Sequence, residues 1–211
     1  MGTRHHGGLL TIVVVAISPG LASCEPKPSR RPLETVSCNT FSEIDTSHIN
    51  LAEIDFGDLA RRAQETRGAI GLDDQSPQTE AAETLKVTDW SGFSRQSASY
   101  LAYRLTDGRW LVRWGEVSPY EPARKSELFL ATAEGEKLDG LLAQACLYRE
   151  PVYMPRKTPF SDGTTSECAD GIDTLTEIEA GQRRRTSFHA CFSYGYSGEI
   201  RSLLYGATHA P

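Results

Sequence analysis

Between Tyr100 and Val117 the chain reads YLAYRLTDGRWLVRWGEV, and no other segment limits the fold as much. Asp107-Gly108 is a two-residue hairpin signal, because Gly takes positive φ without steric cost. A turn closed on these residues pairs Leu105 with Trp110, Tyr103 with Val112 and Leu101 with Trp114. Six large apolar side chains then share one face, while Arg104, Arg113, Ala102 and Leu111 take the other. Burying such a face is worth about 1.5–3 kcal/mol per large side chain, so a helix or a second sheet has to cover it.

The rest of the chain supplies the cover. Asp55 is a helix cap followed by Phe56, Leu59, Ala60 and Ala63 on one face, and Gly68 ends the run. A helix over about 56–67 follows. A third strand is expected at about 126–132. A helix follows it over 133–147, with Leu138, Leu141, Leu142 and Ala145 as its buried stripe. Residues 172–191 read as a second hairpin, with a turn near Ala180-Gly181 and an unclear register. A helix over 198–205 would turn Ile200, Leu203 and Leu204 inward. Residues 71–84 are polar and acidic and read as a surface loop. Strands and helices without strict alternation predict an α+β fold built on an antiparallel sheet.

The N-terminus carries the parts of an export leader. Arg4 is the positive start, Leu9 to Ile17 is the apolar stretch, and Ser18-Pro19-Gly20 breaks it before Leu21-Ala22-Ser23-Cys24. The apolar stretch falls well short of the ~20 residues that span a bilayer. Leader, small residues and Cys24, in that order, resemble a bacterial lipoprotein precursor over the first two dozen residues. The resemblance implies a diacylglyceryl group on the Cys24 thiol, cleavage just before it and an acylated new N-terminus. It also implies a membrane-anchored protein of the cell envelope. Glu25, in place of Asp, favours the outer membrane, facing the periplasm. The alternative is an ordinary secretory leader cut after Ala22 or Ser23. The domain plan is then a leader at 1–23, a tether at 24–36 that is rich in proline and charge, one domain at 37–206 and a frayed tail at 207–211.

Loss of the leader removes one Arg and no acid, so a net charge of −6 becomes −7. That balance speaks against nucleic acid as a partner, which needs a basic footprint. With Cys24 lipidated, Cys38, Cys146, Cys168 and Cys191 remain. An even number in an exported chain points to two disulfides. Of three connectivities, Cys168–Cys191 is favoured because both lie nearly equidistant from the turn at Ala180-Gly181. Cys38–Cys146 follows by elimination.

Chemistry is harder to find. The phosphate-loop, zincin, EF-hand and nucleophile-elbow patterns are missing from the sequence, and no cofactor or metal is implied. His48, His189 and His209 are the histidines beyond the leader, and His189 reads as a partly exposed strand residue. Asp162, Glu167, Asp170 and Asp173 form an acidic loop whose spacing fits no standard calcium site. Residues 149–171 read as an unusually long loop. Tyr153, Arg156, Lys157 and Phe160 in that loop, with Arg183, Arg184 and Arg185 beyond the turn, are candidate contacts for an envelope protein or polymer. Tyr194-Gly195-Tyr196 is a smaller aromatic candidate. The expected function is a non-catalytic binding or assembly role at the envelope. The alternatives are an envelope hydrolase using carboxylates and His189, or a secreted protein without lipid.

Overall fold

The computed structural model describes Cys38 and residues 44–72, 81–92, 94–191 and 195–210. The leader, Cys24, the tether, most of the 71–84 loop and Tyr194 lie outside the described residues. At the centre is a seven-stranded sheet in the order β4-β3-β2-β1-β8-β9-β5. Its strands are β1 (Glu83–Ser91), β2 (Ser97–Arg104), β3 (Trp110–Val117), β4 (Arg124–Phe129), β5 (Tyr153–Met154), β8 (Ile172–Ala180) and β9 (Arg183–His189). Every pairing is antiparallel except β5 with β9. A small second sheet pairs β6 (Lys157–Pro159) with β7 (Thr165–Glu167). The fold is therefore α+β, as the pattern of elements predicts.

Helix α1 (Phe56–Ile70) covers one face of the main sheet. The Asp55 carboxylate caps it, accepting from the N–H groups of Gly57 (2.8 Å) and Asp58 (3.1 Å), and Gly71 ends it at φ 77°. Leu59 and Ala63 pack with Trp90, Leu175 and Phe188, and Ile70 packs with Leu101 and Tyr103. The close approach depends on Gly115, where a Cβ would collide with Ile70 and with the Arg124 carbonyl. Helices α2 (Thr132–Ala143) and α3 (Gly195–Thr208) cover the opposite face. There Leu138, Leu141, Leu142, Ile200 and Leu204 pack on Leu85, Val87, Tyr100, Trp110, Val112 and Ile178. On α2, Asp139 takes hydrogen bonds from Trp110 Nε1 and Arg104 Nη2, both 2.9 Å.

The register of the β2–β3 hairpin corrects the expected one. Arg104 stands opposite Trp110, Tyr103 opposite Leu111, Ala102 opposite Val112 and Tyr100 opposite Trp114. The turn holds three residues rather than two. Leu105 N–H donates to Arg109 O and Gly108 N–H to Leu105 O, both 2.9 Å, with Gly108 at φ 86°. Asp107 accepts from the Arg109 N–H at 3.0 Å, which tightens the loop. The one-residue slip sends Leu101 and Tyr103 to the α1 face and Tyr100, Trp110 and Trp114 to the other.

Other boundaries also shift. Strand β1, central in the sheet, takes Glu83 and Thr84 out of the expected loop. The third strand starts at Arg124, and the expected 133–147 helix divides into α2 and a 3-10 turn at Cys146–Arg149. The long 149–171 loop contains β5, β6 and β7. Helix α3 runs on to Thr208, past the expected end at 205, and His209 stacks on Tyr205 with ring centroids 4.2 Å apart. Both disulfides form in the favoured pairing, Cys38–Cys146 with Cα atoms 5.3 Å apart and Cys168–Cys191 with Cα atoms 6.0 Å apart.

Candidate functional site

The residues singled out as partner contacts do not form one patch. Arg156 is clamped by Asp173, donating to both carboxylate oxygens at 2.7 and 2.9 Å. The same carboxylate accepts from the Cys191 N–H at 3.0 Å, so this pair braces the second disulfide. Tyr153 is half-buried, stacked near Phe188. Lys157 is exposed on β6, and Phe160 bridges to Ile44. The three arginines separate by strand alternation. Arg183 lies over the Tyr148 ring, Arg184 is solvent-exposed and pairs with Glu179 at 3.8 Å, and Arg185 is buried. In the acidic loop, Asp162 accepts from Thr164 N and Oγ1, which holds its carboxyl below the usual range. Among the described residues no three His, Cys, Asp or Glu side chains converge as metal ligands.

What the sheet does assemble is a polar row. Glu116, Ala98, Asp89, Thr174 and His189 stand side by side across β3, β2, β1, β8 and β9 on the face covered by α3. Asp89 is buried. It accepts from Thr174 Oγ1 and from Arg201 Nε of α3, both at 2.8 Å. Burial pushes its carboxyl up, and Arg201 and Thr174 pull it back down. His189 is buried as well, contrary to its reading as a partly exposed residue, with Nε2 3.4 Å from the Pro151 carbonyl oxygen. Burial pushes its imidazole down to about 4, so the ring is neutral at neutral pH. Next to it, Arg185 donates to the carbonyls of Glu150 (2.9 Å) and Pro151 (3.1 Å), while its Nε and Ser187 Oγ are buried without a hydrogen-bond partner among the described residues. The Glu150 carboxylate caps α3, accepting from the N–H groups of Tyr196 and Ser197 and from Ser197 Oγ. Burial raises its pKa.

This row holds a helix onto a sheet. Thr174 stands between Asp89 and His189, and Arg201 occupies the carboxylate from above, so the pair is not poised as base and orienting acid. Sequence reasoning missed Asp89 and Glu150 because both look like ordinary surface acids. Asp89, within the alternating run TLKVTDW, offered the better signal.

Beyond Glu116 the row reaches the surface. There a cleft of about 380 Å³ lies between the β1–β2 turn and the β3–β4 loop. Glu116 accepts from Gln96 Nε2 at 2.7 Å, and Arg124 donates through Nη2 to Glu121 at 2.9 Å while its Nη1 lies 3.9 Å from Glu116. Ser118 Oγ accepts from the N–H groups of Tyr120 and Glu121, which fixes the loop and leaves Tyr120 78% exposed at the rim. The loop Ser118-Pro119-Tyr120-Glu121-Pro122 carried a usable sequence signal, an aromatic between two prolines in a strand connection. Compared with protein families, curated proteins and solved structures, the chain matches none.

Proposed function

We propose that this chain is a lipid-anchored protein of the bacterial envelope whose folded domain binds or positions a partner and carries out no reaction. The observation that carries this reading is the leader ending in Leu21-Ala22-Ser23-Cys24. Two intrachain disulfides in the domain support export to an oxidising compartment. The binding role draws support from the distribution of polar groups. The buried acids Asp89 and Glu150 are occupied in holding α3 and His189 is turned to the Pro151 carbonyl, whereas the open cleft at Glu116 presents polar groups to solvent. The partner surface moves accordingly from the arginines of residues 183–185 to that cleft. Mass spectrometry of the mature N-terminus tests the anchor. The expected product begins at a Cys24 bearing acyl chains, and Cys24→Ser should abolish detergent partitioning. An unmodified Cys24, or a mature chain starting elsewhere, overturns the lipid anchor and leaves a secreted protein.

A further inference from the structure

We infer that the cleft between the β1–β2 turn and the β3–β4 loop is a binding site for a neutral sugar. The inference rests on the binding reading above and gives it a ligand class. The cavity, at about 380 Å³, falls within the size range of small-ligand sites. Its chemistry narrows the occupant.

A hydrophobic ligand would desolvate Gln96, Glu116, Ser118, Glu121 and Arg124 without replacing their hydrogen bonds, which is costly. An anionic ligand meets the two carboxylates of Glu116 and Glu121. A cation meets carboxylates that Arg124 already serves at 2.9 and 3.9 Å. A polyhydroxylated neutral ring fits all of these groups. Its hydroxyls donate to the carboxylates and accept from the guanidinium, in hydrogen bonds strengthened by the ionised partner. Its apolar C–H face can lie on an aromatic ring, which Tyr120 offers at the rim.

The site is also pre-shaped. Ser91 Oγ accepts from Ser94 N–H at 3.2 Å and Ser94 Oγ from Gln96 N–H at 3.3 Å, so the backbone leading into Gln96 is tied to its own side chains as the loop bearing Tyr120 is. Arg95 within that turn sits at φ 52°, a left-handed conformation that non-glycine residues adopt at some cost. A pre-ordered site loses less entropy on binding.

The test titrates the full chain with three tetramers: chitotetraose as the neutral sugar, tetragalacturonate as the anionic one and tetralysine as a cation. Calorimetry reads affinity, and saturation-transfer NMR reads the contact. Chitotetraose should bind with a Kd in the millimolar range or tighter, typical of an exposed polar site. Tyr120→Ala should weaken it about tenfold or more. Because Tyr120 is exposed, the melting temperature of that variant should match the parent's and separate lost binding from lost folding. Glu116→Gln, which keeps the shape and removes the charge, should weaken binding less. Failure of chitotetraose to bind, stronger binding of tetralysine or tetragalacturonate, or binding indifferent to Tyr120→Ala each overturns the inference. The N-terminal mass measurement is independent of all of these, so the anchor and the sugar site stand or fall separately.

Discussion

The face of the sheet under α2 and α3 has two ends that are built differently. At the α2 end, Val112, Leu85 and Ile178 are held by apolar burial, and Trp110 adds a single hydrogen bond to Asp139. At the α3 end, Asp89, Thr174, His189, Arg185 and Glu150 are buried too but are held largely by hydrogen bonds and charge, with Arg185 Nε left unpaired among the described residues. The apolar end tolerates error in proportion to the volume lost. The polar end fails as a set, because removing one partner leaves the other buried and unpaired.

That asymmetry yields graded tests. Asp89→Ala leaves Arg201 without its carboxylate beneath α3 and should cost about 4 kcal/mol in urea unfolding. Adding Arg201→Met should recover part of this loss. If the double variant is as unstable as the sum of the singles, the pair is not coupled and the contrast fails. Leu85→Ala at the apolar end should cost about 3 kcal/mol through lost transfer energy and a cavity, with no rescue from a second truncation nearby.

His189 supplies a pH test. Its folded pKa of about 4 lies below the ordinary 6.5, so the unfolded chain takes up the proton first as the pH falls. Stability is then lost between about pH 6.5 and pH 4, by about 2 kcal/mol between pH 7 and pH 5. Asp89 and Glu150 work in the opposite sense, because their carboxyls are raised by burial and the folded state binds their protons more readily. His189→Leu should therefore unmask a domain whose stability falls less, or even rises, over the same interval. An unchanged pH profile would remove His189 from the explanation. The smallest effect is expected at Arg184→Ala, below about 0.5 kcal/mol, because its pair with Glu179 is solvent-exposed.

The contrast also explains what was legible in the sequence. The Asp107-Gly108 turn was visible, yet its register was not. Both faces of the sheet are covered, so Leu101 and Tyr103 bury as well on one side as Tyr100 and Trp110 do on the other, and alternation cannot choose between them. Strand β1 was missed because its polar residues find partners only in the folded chain, Thr88 with Ser99 of β2 and Arg67 of α1, and Asp89 with Thr174 of β8 and Arg201 of α3. The disulfides were legible, since cysteine spacing around a hairpin turn is a covalent constraint with few solutions. The arginines of residues 183–185 read as one basic spot, whereas strand geometry sends neighbours to opposite faces. The cleft at Glu116 had to wait for the structure, because it draws on two loops that meet only after β1, β2, β3 and β4 have paired.

The Cys38–Cys146 bridge has a mechanical consequence. When the two chain ends are pulled apart, tension entering at Cys38 passes straight through sulfur to Cys146. Everything between them, including α1 and β1 to β4, is shunted out of the load path. The second bridge does the same for the stretch from Cys168 to Cys191, which carries β8 and β9. From Cys38 onward two spans are left to stretch, the one bearing β5 to β7 and the one bearing α3, so a domain of this length behaves under force as a short, stapled ribbon.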